Sequence, residues 1–311
     1  MIGQSRRRGG AKSLFGHAGD LAPRAGRLPV SVLLPVRNEK LNLRAALESV
    51  SWADEVWVVD SHSADGTAEV AREYTDKVVQ FNYDGRGPKK KNWSLQNLPF
   101  ANEWVLILDA DERITAELAA EISVTLASGT ADGYYLDRDY VFMGRSLRSF
   151  RPNWNLRLFK HRLGRYERLA TNAPQTGDNE VHEHVVLDGR VGYLRSPMLH
   201  EDRRPLRAWV DNHNRYSDWE VQVYRRLRSD PLRPVALLAG GPGRWRHNGL
   251  KRLWVRLPFR PLARFAAFYL LRRGFLDGRE GFRYSVLMGY YEYLIGLKLR
   301  ELELAEREGR H

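Results

Sequence analysis

Between Val30 and about Leu126, short apolar runs alternate with stretches of helical periodicity, and this alternation restricts the chain more than any other feature. Ser31 to Val36, Glu55 to Asp60, Lys77 to Phe81 and Trp104 to Leu108 are too short for helices and are bounded by polar, Gly or Pro residues, so they read as strands. Between them the spacing predicts a helix over Glu39 to Val50, capped by Asn38, with Leu41, Leu43, Ala46, Leu47 and Val50 supplying its apolar positions. Further helices are predicted from Thr67 to about Tyr74, through Leu98, and from Thr115 to Leu126, followed by strand-like runs at Gly133 to Phe142 and Leu156 to Phe159. Strands and helices in turn predict an α/β fold: a mainly parallel sheet with helices on both faces. Ligands of such sheets bind at the carboxyl ends of the strands. Three polar clusters fall there: Pro35-Val36-Arg37-Asn38-Glu39, Asp60-Ser61, and Asp109-Ala110-Asp111.

Charge divides the chain. The net +12 is made of +5 in residues 1–29, −5 in 30–202, +13 in 203–283 and −1 thereafter. A uniformly basic nucleic-acid binder does not distribute charge in this way, so no nucleic-acid partner is expected. We read 1–29 as a disordered basic arm, 30–204 as the catalytic domain, and 205–311 as a helical region rich in arginine and aromatics. No run reaches the roughly 18 apolar residues of a membrane span. The arginines at Arg6 to Arg8 precede no apolar signal core, so a cytoplasmic protein is expected. The absence of cysteine excludes thiolate metal sites and leaves carboxylates and imidazoles, which favours Mg2+ or Mn2+.

Asp109 and Asp111, just past an apolar strand, can bind a divalent cation that neutralises a diphosphate; the alternative is an acidic turn capping the next helix. Asp60 at a strand tip can accept hydrogen bonds from a nucleobase or ribose hydroxyl, or cap its own turn. Lys90 and Lys91 open a helix, where cations suit a diphosphate; a solvated charge run accounts for Lys89 to Lys91 equally well. The strand and acids at Leu106 to Glu112 also imitate a P-loop ATPase, but the chain has no Gly-x4-Gly-Lys-Ser/Thr sequence. Paired carboxylates can also serve glycoside hydrolysis, yet here they cluster at nucleotide-type strand ends.

Pro35-Val36-Arg37-Asn38-Glu39, Val58-Val59-Asp60-Ser61-His62-Ser63-Ala64-Asp65-Gly66-Thr67 and Leu108-Asp109-Ala110-Asp111-Glu112 resemble the three motifs of family 2 glycosyltransferases of the GT-A fold. Asn155-Leu156-Arg157-Leu158-Phe159, Val181-His182-Glu183 and Gly274-Phe275-Leu276-Asp277-Gly278 are similar to the bacterial lipopolysaccharide-core β-glucosyltransferase branch. The resemblance covers about residues 30–300. It implies an inverting hexosyltransferase using a nucleotide-sugar donor, with UDP favoured. Pro35, Asn38 and Glu39 would flank the nucleotide, Asp60 would hold uracil or ribose, Asp109 would contact ribose or metal, and Asp111 would ligate the metal. His200 is a candidate third ligand to metal or diphosphate. A general base is sought within 178–184, where Glu183 fits the His-Glu motif and Glu180 is the reserve.

In the basic third, Leu262, Phe265, Phe268 and Tyr269 fall at helical spacing among Arg260, Arg264, Arg272 and Arg273. Such a helix suits either an anionic membrane surface or packing on the catalytic domain. A long helix is predicted from about Tyr284 to Glu303. The function expected is sugar transfer to a hydroxyl of a lipid-linked or lipopolysaccharide-core acceptor, on the inner face of the plasma membrane. The competing readings are a polyprenyl-phosphate sugar synthase and a non-enzymatic anionic-surface binder.

Overall fold

The computed structural model describes residues 26–85, 87–167, 184–229 and 251–309. Residues 1–25 of the basic arm, Glu180 and Glu183, and the Pro- and Gly-rich stretch 231–243 lie outside these described residues, whereas Leu28 and Pro29, expected in the disordered arm, open the first strand.

The first half forms β1 (Leu28–Val36), α1 (Lys40–Ser49), β2 (Ala53–Asp60), α2 (Thr67–Arg72), β3 (Val78–Gln80), α3 (Lys90–Asn97) and β4 (Trp104–Ile107). Then come β5 (Glu112–Arg113), α4 (Ala116–Ser128), β6 (Gly133–Phe142), β7 (Arg145–Ser146), β8 (Trp154–Lys160), β9 (Gly164–Tyr166), β10 (Val185–Leu187), β11 (Val191–Tyr193) and β12 (Met198–His200). The main sheet runs β3-β2-β1-β4-β8-β6-β12-β5. Its first four strands are parallel, and β8 is antiparallel to both β4 and β6. This α/β sheet with a parallel first half is the architecture that the GT-A resemblance implies.

Strand alternation explains the layers. Val30, Val32, Leu34 and Val36 of β1 face a core shared with Leu43 and Leu47 of α1 and Leu118 and Ile122 of α4. Leu33 faces the other side, with Leu98, Phe100 and the half-buried Trp93. A period of two in the strands meets a period near four in the helices, so both faces are covered. Each fully buried Leu, Val or Ile contributes roughly 1.5–3 kcal/mol against leaving it in water.

Asn38 does not cap α1. It takes a left-handed backbone conformation, φ 55°, one residue ahead of the cap, and its Oδ1 accepts from the backbone N–H of Ala64 at 2.9 Å. Asparagine tolerates this region better than other side chains, so the turn uses its backbone freedom instead.

The second half contains α5 (Leu206–Ser229), α6 (Arg260–Ala266), a π turn over Ala267–Leu271, a 3-10 turn over Gly274–Asp277, and α7 (Gly278–Arg307). Val221 and Tyr224 pack with Val255, Ile295 and Leu299 into a separate core. Phe142, Leu147 and Tyr284 join it to the sheet. Asp277, buried, accepts from the backbone N–H of Arg148 at 3.0 Å and of Ser149 at 2.9 Å, which pins the Gly-Phe-Leu-Asp-Gly segment to the turn after β7. The arginines among these apolar residues divide: Arg260 and Arg264 turn inward to Glu292, while Arg272 and Arg273 stay exposed.

Candidate active site

The strand order sets the three polar clusters side by side. Val36 of β1 pairs with Asp60 of β2, while Leu33 pairs with Ile107 at the end of β4. The loops after β1 and β2 are then cross-braced. Asn38 N–H donates to Ser63 Oγ at 2.8 Å, Glu39 N–H to Thr67 Oγ1 at 2.8 Å, and Lys40 N–H to Asp65 Oδ2 at 3.1 Å. Pro35 is buried in β1 opposite Val59.

Asp60 is 1% exposed. Its oxygens accept from the Ser63 N–H at 3.3 and 3.1 Å and from Gln80 Nε2 at 3.0 Å, and the Ser63 hydroxyl adds a further bond. About four lone-pair sites are thereby met from within the loop. Asp60 therefore braces the loop that follows β2 and ties it to β3.

Lys90 is 0% exposed, and its Nζ donates to the Val36 carbonyl at 2.8 Å. This departs from the expected phosphate contact: the ammonium lies beneath the tip of β1 and fixes it. Lys91 pairs with Asp109 Oδ1 at 2.9 Å and lies 5.3 Å from the centre of the Tyr166 ring. The other oxygen of Asp109 is taken by Arg157 of β8. Burial disfavours the Asp109 carboxylate, but Arg157 and Lys91 hold it well below the usual range. With one cation on each oxygen, Asp109 anchors a cationic cluster at the end of β4.

Arg157 was not foreseen as a site residue. It is buried in an apolar strand and bridges Asp109 to Glu112, whose Oε1 lies 2.6 Å away. Glu112, fully buried, also accepts from the Asp109 N–H at 3.0 Å through Oε2. The signal was there: an arginine at a core-facing position between Leu156 and Leu158 needs a buried counter-charge.

Asp111 Oδ2 lies 3.1 Å from His200 Nε2. Burial raises the Asp111 carboxyl, but His200 more than offsets this and leaves it below the usual range. Neighbouring ligands of an octahedral ion with bonds of about 2.1 Å stand roughly 3 Å apart, so this pair fits two adjacent positions. Among the described residues no cluster of three or more acidic or histidine side chains is assembled for a metal. Mg2+ is commonly bound through one or two carboxylates with substrate phosphates and water completing the shell, so two protein ligands suffice.

His200 is also tied to the first loop. Asp202, two residues on, accepts from Asn42 Nδ2 at 3.0 Å, and Arg204 donates to Glu39 Oε1 at 2.8 Å. Burial pushes the Glu39 carboxyl up to about 7, opposed by Arg204 and reinforced by Asp111. The native state therefore keeps a proton on Glu39 that the unfolded chain loses above 4.5. The stability it contributes is present below 4.5 and lost as pH rises through about 7. The slope is at most about 1.4 kcal/mol per pH unit. Urea unfolding across this window checks it: Glu39→Gln flattens the slope, and an unchanged slope would refute the assignment.

Strand-end loops thus meet over a parallel sheet, with a carboxylate–histidine pair beside a lysine and an arginine. The family model for Glycosyl transferase family 2 matches residues 31–180. The chain is 26% identical to an uncharacterized glycosyltransferase of Rickettsia typhi, over 89% of each chain. It is 29% identical to the lipopolysaccharide core biosynthesis glycosyltransferase LpsC of Rhizobium meliloti, over 65% of this chain and 75% of the other. A crystal structure of S. aureus TarS 1–349 in complex with UDP-GlcNAc is similar at 15% identity and a TM-score of 0.43, covering 91% of this chain and 93% of that one.

Proposed function

We propose that this glycosyltransferase moves a sugar, with inversion, from a UDP-sugar to a hydroxyl of a lipid-linked or lipopolysaccharide-core acceptor. The observation that carries the reading is the convergence of the three strand-end clusters at β1, β2 and β4, with Asp111 facing His200. The nucleoside packs on the cross-braced loops of Asn38 and Asp60. Lys91, poised beside Asp109, lies on the diphosphate side. Asp111 and His200 would hold Mg2+ or Mn2+, which when bound neutralises charge building on the departing diphosphate. Glu183, with Glu180 in reserve, takes the proton of the acceptor hydroxyl as that oxygen attacks the anomeric carbon opposite the leaving group. Both glutamates lie outside the described residues, and their role rests on the motif alone.

The acceptor class is supported by the relative LpsC and by the surface of α7. Phe282, Val286, Tyr290, Tyr293 and Leu297 recur at helical spacing and are all exposed, with Arg279 and Arg283 beside them. Among the described residues no helix is long and apolar enough to cross a membrane. An exposed aromatic stripe flanked by arginines suits peripheral attachment to an anionic leaflet.

The test is a thermal-shift screen of nucleotide sugars with Mg2+ or Mn2+ and with EDTA. A UDP-sugar at about 100 times its Kd should stabilise the protein by about 2.7 kcal/mol, and EDTA should remove most of that gain. If no nucleotide sugar gives metal-dependent stabilisation, the donor site is misassigned.

A further inference from the structure

A cleft of about 530 Å3 opens where the helical region meets the hairpin of β6 and β7. Four arginines line it: Arg145 and Arg148 from the hairpin side, Arg272 and Arg273 from the turn before α7. Four guanidinium groups around one opening repel one another unless an anion lies between them. Asp277 also lines the cleft and supplies one negative charge, its two oxygens accepting from the backbone N–H groups of Arg148 and Ser149, so the four arginines still outnumber it. Among the described residues Arg145 reaches Glu280 only at 4.0 Å, while Arg272 lies over the Phe268 ring, 5.2 Å from its centre.

Two further features point to a ligand. Arg273 holds a left-handed backbone, φ 62°, which is strained for a side chain of its size. The rim is apolar: Leu276 lines the cleft, and Leu276, Leu271 and Phe275 are all exposed. A polar, multiply basic floor beside an apolar shelf matches an anionic amphiphile. Guanidinium forks bind phosphate oxygens two at a time, and a phosphate monoester carries a charge of about −1.5 to −2, which suits four arginines better than a single carboxylate does.

We propose that this cleft binds the phosphate of a phosphorylated amphiphile whose apolar part lies over Leu271, Phe275 and Leu276. Its position relative to the transfer site follows from the rings behind it. Tyr140 stands edge-on to His200 at 5.0 Å and contacts Tyr284 at 5.1 Å, and Tyr284 contacts Phe150 of the cleft-side turn at 4.5 Å. A head group anchored here is separated from His200 by the rings of Phe150, Tyr284 and Tyr140. That placement rests on the transferase reading, whereas binding itself does not.

The full chain is tested in EDTA, without donor, so that the outcome is independent of turnover. Co-sedimentation is measured with vesicles of phosphatidylcholine alone and of phosphatidylcholine with phosphatidic acid, whose head group is a phosphate monoester. Titration with glycerol phosphate serves as the soluble arm. The variants are Arg148→Gln/Arg272→Gln and, as an equal-charge control, Arg72→Gln/Arg207→Gln, which removes two exposed arginines elsewhere. The cleft variant should lose affinity roughly twentyfold or more while the control changes little. Loss confined to anionic vesicles assigns the phosphate to a membrane lipid, loss confined to glycerol phosphate assigns it to a soluble molecule, and either supports the cleft. Wild-type binding of both ligands by the cleft variant, or an equal loss in the control, overturns the proposal.

Discussion

Asp111→Ala lowers kcat/KM for sugar transfer on the order of a thousandfold and leaves the protein folded. The expected loss is that of a group stabilising charge on the leaving diphosphate. The fold survives because Asp111 is one of several acids sharing a small volume. Asp111 raises the Glu39 carboxyl, and both Asp109 and Asp202 press on Asp111. Deleting it relieves this repulsion while costing one contact to His200. Asp109→Ala behaves differently. Lys91 and Arg157, both nearly buried, lose their shared counter-ion. Breaking a fully buried pair costs about 3–5 kcal/mol; with a third of the Asp109 side chain exposed, about 2–3 kcal/mol is expected here. Activity assays with denaturant unfolding of both variants separate the two roles. Wild-type turnover in Asp111→Ala would remove the metal site from the mechanism. Wild-type stability in Asp109→Ala would remove the anchor.

The parts of this arrangement that depend on local pattern were readable from the chain. Apolar runs of four to eight residues gave β1, β2 and β4, and the polar residues after them marked where a ligand sits. What the pattern did not carry is the identity of each long-range partner. Asp109 and Asp111 look equivalent in sequence, but Lys91 from α3 and Arg157 from β8 reach only the first, and His200 from β12 only the second. Lys90 and Lys91 are adjacent, yet a helix turns successive side chains by about 100°, so one points under β1 and the other toward Asp109. Arg204 and Glu39 are 165 residues apart and meet only because β12 returns beside the first loop. The basic third is the clearest case. Spacing alone does not show that Arg260 and Arg264 turn inward, because a carboxylate on another helix leaves no trace in the local period.

That carboxylate, Glu292, predicts the largest stability effect in the helical region. It is 0% exposed in α7, with Arg260 Nε at 3.1 Å and Arg264 at 2.8 Å. Tyr224 donates its hydroxyl at 3.1 Å, and Trp254 its indole N–H at 3.3 Å. The Tyr224 phenol is pushed above its usual range, first by burial and then by the Glu292 charge. Taking ions out of water is costly, and Glu292 makes the burial of two arginines tolerable. Glu292→Leu leaves both guanidinium groups without a counter-charge and should cost about 3–5 kcal/mol, lowering Tm by roughly 6–10 °C. The triple variant Arg260→Met/Arg264→Leu/Glu292→Leu should recover most of that loss, since apolar side chains of similar volume replace a buried ion cluster at little or no net cost. Calorimetry of the single and triple variants decides the matter. A single variant within about 1 kcal/mol of wild type, or a triple variant no better than the single, would mean that water reaches these charges and that the helical core is not held together by Glu292.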